Sequence, residues 1–266
     1  MITSLHSPHV AAVKALLGSR GSRERRLTSQ YIIEGAQNLR EAILYSPESI
    51  ETIYLTADGR EKLGAIELPA ADVVDVSDEV MKAMADTVTP QGILAVAKIA
   101  HRDLKSWLSE AKKKSSRLKI AYFWQIQDPG NAGTVIRTAD AFEFDAIIFS
   151  DNSVDIHAPK VVRSTAGSLW HIPIFEGISL EALTSLAGEY SIALFATQAN
   201  ARRELIEVVR SLVDHDSIWI FGNEARGIPS DVAAELVSIP MSGRAESLNL
   251  ASAAAVVMYA VANGAK

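Results

Sequence analysis

From Leu118 onward the chain alternates short apolar strands with helical stretches, and this alternation restricts the possible fold more than any other feature. Strands that are apolar along their whole length and are joined by helices form parallel sheets covered on both faces. Ligands bind such sheets at the carboxyl ends of the strands. The loops predicted at these ends are QDPGNAG, TQANARR, FGNEARG and MSGRAES.

The strands and helices of this region are predicted from the same alternation. The strand segments are KIAYFW, AIIFS, HIPIF, SIALFAT, SIWIFG and VSIP, and the helical ranges are 131–142, 159–168, 179–188, 201–213, 229–236 and 247–262. The last helix is apolar almost all round, so it must be buried on more than one side, within a large domain or against a second subunit. Its first turn carries Ser247 and Asn249, which either cap the helix or hold a ligand beside its free N–H groups.

The residues before this region predict a separate, smaller α/β unit. Residues 5–27 are interpreted as a helix followed by an Arg-rich turn, and further strands and helices follow up to GILAVAKI. The polar and basic stretch at 101–117 is interpreted as a helix and a linker that marks the domain boundary. The predicted organisation is a small domain at 1–100, a basic linker at 101–117 and a larger domain at 118–266.

Charge is segregated along the chain, although the net charge is only −6. Residues 1–40 carry six Lys and Arg against two Glu, and residues 98–119 carry eight Lys and Arg against two acidic residues. Local basic segments on an otherwise acidic protein are typical of a site for a polyanion. In the first segment the candidate contacts are Arg23, Arg25 and Arg26. For the lysine run of the second segment, the alternative is that it only solvates a linker.

Composition excludes several classes of protein and site. With 48% hydrophobic and 22% charged residues, the chain is predicted to be globular and not disordered. The absence of cysteine excludes disulfides, thiolate metal sites and a cysteine nucleophile. The six histidines are scattered without metal-ligand spacing, so no metal site is predicted. No apolar run reaches the roughly 18 residues of a membrane span, and no signal peptide is recognised, which favours a cytoplasmic protein.

The strand-end loops lack the common nucleotide-binding motifs. Neither G-x-G-x-x-G nor G-x-x-x-x-G-K-[ST] is present, which disfavours an ordinary dinucleotide or NTP site. Three of the four loops lie instead in longer segments, DPGNAGTVIRTADAFEFDAIIF, IWIFGNEARGIP and IPMSGRAESLNLASAAAVVMYA. In sequence and order these resemble the three motifs of the SpoU (TrmH) family of RNA ribose 2′-O-methyltransferases, in the SPOUT superfamily. KVVRSTAGSLWHIPI also resembles this family, and QYIIEGAQNLREAI with TPQGILAVA resembles the RNA-recognition domain found before the catalytic domain in many members.

The resemblance implies an S-adenosylmethionine-dependent RNA methyltransferase, with ribosomal RNA favoured over transfer RNA as the substrate. It also implies a homodimer, and an α/β domain whose C-terminal part forms a deep trefoil knot, an exception to the usual unknotted topology. The residues that match catalytic positions of the family are Asn131, Arg137, Glu224, Ser247 and Asn249. The residues that match cofactor positions are Thr197, Gly222, Asn223, Ile239, Met241, Leu248 and Asn249, and Arg163 matches a position that can face RNA.

Several of these residues also have a purely structural interpretation. Arg137 fits an exposed helix arginine, Glu224 fits a carboxylate at the start of a helix, and Gly222 fits a simple turn. Because a guanidinium with a pKa above about 12 is a poor base, Arg137 is interpreted as orienting the ribose hydroxyl or a substrate phosphate. The alternative functions are a catalytically inactive RNA-binding or assembly protein on the same scaffold, and a base-methylating enzyme of the wider superfamily.

Overall fold

The computed structural model describes residues 1–18, 21–115, 117–212 and 215–264. Arg20, which belongs to the basic segment near the N-terminus, lies outside these ranges. Within them, no helix is long and apolar enough to cross a membrane.

The elements are numbered in chain order. The strands are β1 (Gln30–Glu34), β2 (Ile50–Leu55), β3 (Asp72–Asp75), β4 (Ile93–Lys98), β5 (Lys119–Phe123), β6 (Ala146–Phe149), β7 (Ile174–Phe175), β8 (Ala193–Thr197), β9 (Arg203–Glu204), β10 (Ser217–Phe221) and β11 (Glu235–Ser238). The α-helices are α1 (Pro8–Leu17), α2 (Gly21–Thr28), α3 (Ala36–Tyr45), α4 (Ala57–Leu63), α5 (Asp78–Met84), α6 (Leu104–Lys114), α7 (Pro129–Ala141), α8 (Pro159–Ser164), α9 (Leu180–Glu189), α10 (Leu205–Ser211) and α11 (Leu250–Asn263). Short 3-10 helices lie at Pro47–Ser49 and Ser168–Trp170.

The chain forms two compact units, and the division between them does not follow chain order. Unit 1 comprises Met1–His101 and Asp155–His171, whereas unit 2 comprises Arg102–Val154 and Ile172–Lys266. The sequence predicts one crossing between domains, near 101–117. The structure has two more, because the chain returns to unit 1 between β6 and β7.

Unit 1 is built on a four-stranded sheet in the order β1-β4-β2-β3. β4 pairs antiparallel with β1 and β2, and β3 pairs parallel with β2. One face is covered by α1, whose buried residues recur every three positions, at Val10, Val13 and Leu16. These side chains pack in one cluster with Ile32 of β1 and Met81 of α5. This cluster is the hydrophobic core of unit 1.

The segment predicted as an Arg-rich turn is instead the helix α2. Its arginines differ in environment, since Arg23 and Arg26 are exposed whereas Arg25 is only 5% exposed. Arg25 forms an ion pair with Asp155 at 2.8 Å and donates a hydrogen bond to the Leu16 carbonyl. Contrary to its predicted contact with RNA, Arg25 is therefore a buried structural residue of unit 1.

Replacing Arg25 with alanine is expected to lower the free energy of unfolding by about 2 kcal/mol, because the largely buried Asp155 carboxylate loses its cation. Urea unfolding of the full-length protein measures this change. Arg26→Ala removes an exposed charge from the same helix and serves as the matched control, with an expected change below about 0.5 kcal/mol. Equal stability of the two variants would contradict the structural role of Arg25.

The returning segment, residues 155–171, is also held in unit 1 by an arginine. The Arg163 guanidinium lies 3.3 Å from the carboxylate of Glu34 and 2.7 Å from that of Asp86. Glu34 is itself buried at the end of β1. A phosphate that binds Arg163 has to compete with two carboxylates, so the structure gives this residue a role in holding α8 and weakens its predicted contact with RNA.

The same segment buries apolar and aromatic groups against the first part of unit 1. Val161 and Val162 of α8 are fully buried, and the Trp170 indole N–H donates to the Tyr31 hydroxyl at 3.0 Å. Burial raises the pKa of Tyr31, so its hydroxyl stays protonated. Deleting the first 100 residues would expose these groups to water. Tests of the role of unit 1 are therefore better made with point variants of the whole chain.

Unit 2 is built on a seven-stranded, all-parallel sheet in the order β7-β6-β5-β10-β8-β11-β9. This confirms the predicted α/β class with a parallel sheet. The central strand β10 is buried at every residue, as its apolar sequence requires. The predicted basic linker contains α6, whose Leu104 and Leu108 are buried in the core of unit 2. That part of the linker is therefore a packed element of this unit.

Three predicted helices of unit 2 differ in the structure. The helix predicted over 247–262 begins only at Leu250, with Asn249 as its N-cap, so Ser247 lies in the preceding loop and not in the first turn. No helix forms over 229–236, where Val232 and Ala234 pack against the core two residues apart, a spacing that suits an extended chain. The helix predicted over 201–213 begins only at Leu205, because a capping box of Glu204 and Glu207 fixes its start and the residues before it form β9. Val213, at its predicted end, lies outside the described residues.

Candidate active site

Three strand ends place the site at one edge of the unit 2 sheet. β10 lies between β5 and β8, and all three strands are parallel, so their carboxyl ends lie side by side. The loop after β5 leads directly into α7, and α11 packs against α7. The loops that the sequence indicates are therefore brought together with the first turns of two helices.

A chain of side-chain hydrogen bonds links three of these segments across long sequence distances. The Asn131 amide nitrogen donates to the Glu224 carboxylate at 3.0 Å, and the Asn249 amide nitrogen donates to the Asn131 side-chain oxygen at 3.2 Å. Asn131 is positioned by the start of α7, where the N-cap residue Asp128 accepts from the Asn131 backbone N–H at 2.7 Å. Three residues predicted to be catalytic thus form one polar group, the Asn131 network.

The loop after β10 is a tight turn that holds Glu224 at its tip. Asn223 and Gly227 pair through both of their backbone hydrogen bonds, at 3.0 and 2.8 Å. The Asn223 side-chain oxygen accepts from the N–H groups of Ala225 and Arg226, and its amide nitrogen donates to the Gln125 carbonyl at 2.8 Å. Glu224 is therefore a turn residue, and the interpretation of it as a helix-start carboxylate does not apply.

Asn249 takes the capping role that the sequence leaves open for it, and its amide nitrogen also joins the polar group around Asn131. Its side-chain oxygen caps α11 by accepting from the N–H groups of Ala251 and Ser252, at 2.9 and 3.3 Å. Its amide nitrogen remains available and reaches Asn131. Helix capping fixes the side chain, and the fixed side chain extends the Asn131 network.

A cavity of about 400 Å³ opens beside this network at the ends of β8, β10 and β11. Its lining combines apolar side chains with backbone groups of the strand-end loops. The lining residues are Thr197, Gln198, Ala199, Gly222, Asn223, Glu224, Gly227, Val237, Ile239, Met241, Ser247, Leu248, Asn249, Leu250 and Ala253. Every residue predicted to bind the cofactor is in this set, together with Glu224 and Ser247.

The residues of the cavity suit a nucleoside that carries a positive charge. The volume lies within the range of small-molecule sites, about 300 to 1,000 Å³. Val237 and Leu250 give the cavity a buried apolar floor, and Glu224 supplies a negative charge at its rim. S-adenosylmethionine, with an apolar purine face, a ribose and a sulfonium, fits this combination.

Arg137 is the predicted catalytic residue that the structure keeps apart from the others. It follows Asn131 by six residues on α7, which places it about 9 Å along the helix and about 240° around it. It is exposed, does not line the cavity, and has no hydrogen-bond or ion-pair partner among the described residues. Its guanidinium is therefore free to bind an external group.

The cavity also includes residues that the sequence prediction omits. Gln198 and Ala199 lie in the TQANARR loop, whose position after a strand does indicate a site. Val237 and Ala253 belong to regular elements, and their apolar side chains are indistinguishable in sequence from core residues. Only their positions in the fold, Val237 near the end of β11 and Ala253 in the first turn of α11, show that they face a cavity.

Known families match both parts of the chain. Residues 119–259 match the SpoU rRNA Methylase family, and residues 8–95 match the MRM3-like substrate binding domain. The chain is 31% identical over 240 residues to the 23S rRNA (guanosine(2553)-2′-O)-methyltransferase RlmP of Bacillus subtilis, which covers 89% of this chain and 90% of that protein. It is 32% identical over 265 residues to an uncharacterized tRNA/rRNA methyltransferase of Synechocystis, which covers 97% and 92% of the two chains.

Solved structures show the same architecture over nearly the whole chain. The AdoMet-bound rRNA methyltransferase from Sinorhizobium meliloti has 25% sequence identity and a TM-score of 0.83, covering 98% of this chain and 96% of that one. A second structure, described as an RNA 2′-O ribose methyltransferase, has 25% identity and a TM-score of 0.78, covering 98% and 97%.

Proposed function

The chain belongs to the SpoU rRNA Methylase family, and we propose on this basis that it transfers a methyl group from S-adenosylmethionine to a ribose 2′-hydroxyl of structured RNA. The observation that carries the proposal is the Asn131 network at the rim of a cavity of cofactor size. Relatives named for 23S rRNA and rRNA methylation favour ribosomal RNA as the substrate. Such a substrate agrees with the cytoplasmic location predicted from the sequence. Membership of the family separately predicts that the C-terminal part of unit 2 forms a trefoil knot.

The reaction requires the protein to position a weak nucleophile. Bound S-adenosylmethionine supplies an electrophilic methyl group whose sulfur leaves as a neutral thioether. The ribose oxygen forms a bond to the methyl carbon as the carbon–sulfur bond breaks, and the hydroxyl proton is lost to solvent or to a nearby acceptor. The main contribution that the site can make is to hold the ribose oxygen in line with the methyl carbon and the sulfur. The fixed amides of Asn131 and Asn249 and the Ser247 hydroxyl are the groups available for it.

Calorimetric titration with S-adenosylmethionine in the presence of EDTA tests the cofactor assignment. We expect binding with one cofactor per chain that EDTA does not change, because sulfonium transfer needs no Lewis acid. Mapping of 2′-O-methyl groups in total RNA, with and without the gene, then identifies the nucleotide. Absent cofactor binding would favour the catalytically inactive RNA-binding protein, and a methylated base in place of a methylated ribose would favour a base methyltransferase.

Unit 1 is proposed to recognise the RNA, because most of it matches a substrate-binding domain. Two of its arginines are placed for this role. Arg23 and Arg26 on α2 are exposed, and within the described residues neither has a hydrogen-bond or ion-pair partner. Their charges are therefore available to phosphate groups.

Replacing both Arg23 and Arg26 with alanine is expected to weaken RNA binding and to flatten its salt dependence. If both arginines contact phosphates, the negative slope of the logarithm of the RNA-binding constant against the logarithm of the salt concentration should become smaller in magnitude by about 1.4 to 1.8. Each lost contact accounts for roughly 0.7 to 0.9 of a released counterion. Binding of RNA to the full-length protein at several salt concentrations measures the slope. Lys62→Ala with Lys82→Ala removes the same charge elsewhere on unit 1, and an equal effect of this control pair would contradict a specific role for α2.

A homodimer through the outer face of α7 and α11 is the second part of the proposal. On α11, Val256 is 41% exposed and Tyr259 is 59% exposed, and the Tyr259 ring packs edge-on against Phe142 at the end of α7. Water-exposed apolar and aromatic side chains of this kind are typical of the core of an interface. Tyr259→Asp is expected to convert dimers to monomers in light scattering, whereas a wild-type protein that is already monomeric would contradict the proposal.

A further inference from the structure

An arginine positioned over a tryptophan ring lies beside the candidate active site. The Arg226 guanidinium carbon is 5.7 Å from the centre of the Trp124 ring, and its Nη2 donates to the Gln125 side-chain oxygen at 2.7 Å. Arg226 is exposed and Trp124 is half-buried. Neither residue lines the cofactor cavity, and neither belongs to the Asn131 network.

The backbone beneath this pair is fixed by the same turn that holds Glu224. The Arg226 N–H donates to the Asn223 side chain at 3.1 Å, and the Trp124 N–H donates to the Phe221 carbonyl at 2.9 Å. An exposed arginine normally samples many rotamers, and ordering it costs conformational entropy. Contacts with Trp124 and Gln125 reduce that cost before any ligand binds.

Arg226 is not arranged to stabilise the fold by an ion pair. Its side-chain partners are a neutral amide and an aromatic ring, and no carboxylate pairs with it in the part of the chain that the structure describes. The exposed side of the group therefore remains available to a ligand.

Arg226 lies close to the place where the reacting nucleotide is expected to bind. Arg226 lies two residues from Glu224 in one turn, and the ends of such turns are less than about 7 Å apart. Consecutive nucleotides of a strand are separated by roughly 3.4 Å or more. RNA whose target ribose lies at the Asn131 network therefore has a neighbouring nucleotide within reach of Arg226.

Building on the proposed function, we propose that Arg226 and Trp124 form a stacking platform for an unpaired nucleobase that neighbours the methylated nucleotide. RNA-binding proteins read single-stranded and bulged regions by stacking bases on aromatic rings and on guanidinium planes. An exposed guanidinium that is held beside an indole by these contacts presents such a plane. The platform would fix the strand on one side of the target ribose.

Two RNA probes of equal charge test the platform with the full-length protein. The probes are a ten-nucleotide oligoadenylate and a ribose-phosphate decamer that lacks all bases. We expect the wild type to bind the oligoadenylate about tenfold more tightly, and Arg226→Ala to lose this preference while its affinity for the abasic decamer changes little. Trp124→Ala is expected to act in the same direction, and Arg226→Lys should not restore the preference, because an ammonium has no plane to stack.

Arg210→Ala serves as the matched control, since it removes an exposed arginine at the end of α10. It should leave the preference for bases intact. Equal binding of the two probes by the wild type, or full restoration by Arg226→Lys, would overturn the stacking platform. A parallel loss of S-adenosylmethionine affinity in Arg226→Ala would also overturn it, in favour of a role in holding the turn. Methyl transfer by the wild type is measured separately, so a failure of the proposed function is distinguished from a failure of the platform.

Discussion

Replacing Arg137 with alanine is expected to slow methyl transfer by about 10² to 10⁴-fold while leaving cofactor affinity and melting temperature unchanged. Arg137 is exposed and has no partner among the described residues, so its removal breaks no contact within the fold. It also lies outside the cofactor cavity.

Arg137 is expected to act on the nucleophile of the reaction, the ribose 2′-hydroxyl. A guanidinium that holds a phosphate of the substrate orients the neighbouring ribose, and this contact contributes to the transition state more than to the binding of free cofactor. The loss should therefore appear mainly in kcat. Arg137→Lys is not expected to restore the rate, because a single ammonium cannot reproduce the two-pronged contact of a guanidinium.

Rates with saturating S-adenosylmethionine, cofactor titration and thermal unfolding of the same preparations check this prediction. Arg210→Ala is again the control for the loss of an exposed charge in unit 2. Near-normal turnover of Arg137→Ala would make Arg137 a surface residue of α7. A sharply lowered melting temperature of Arg137→Ala would show that Arg137 stabilises the fold, although it has no hydrogen-bond or ion-pair partner among the described residues.

The cofactor cavity is the part of the site that sequence predicts best. Apolar strands alternating with helices require a parallel sheet, and a parallel sheet gathers its strand-end loops at one edge. Thr197, Gly222 and Ile239 follow or end three different strands, so their meeting in one cavity is a consequence of topology. Their assignment to a cofactor, by contrast, came from the family resemblance.

Contacts between distant segments are the part that the sequence does not reveal. The bond from Asn131 to Glu224 joins residues 93 positions apart, and nothing in either loop indicates its partner. Arg25 shows the same limit, because its burial depends on Asp155, which lies 130 positions away in the returning segment. Charge counting treats Arg25 like Arg23 and Arg26, whereas tertiary packing separates them.

Replacing Gly222 with alanine is expected to lower S-adenosylmethionine affinity by about a hundredfold and to destabilise unit 2 by about 1 to 3 kcal/mol. The reason is the close approach of the turn to the end of β10. A Cβ atom at Gly222 would lie 2.5 Å from the Gly227 carbonyl carbon and 2.7 Å from its oxygen. Backbone atoms cannot rotate away, so the turn itself has to move.

That movement affects binding and chemistry together, because Gly227 is paired with Asn223 and the turn between them carries Glu224. Displacing Gly227 disturbs the rim of the cavity and the bond from Asn131 to Glu224 at once. The control is Gly188→Ala in α9, where an added Cβ meets no atom within 4 Å and should stabilise the helix by about 0.5 to 1 kcal/mol. Cofactor titration and urea unfolding of both variants give the comparison. Normal cofactor affinity in Gly222→Ala would show that the turn tolerates the displacement, and that the cofactor does not depend on the Gly222 contact.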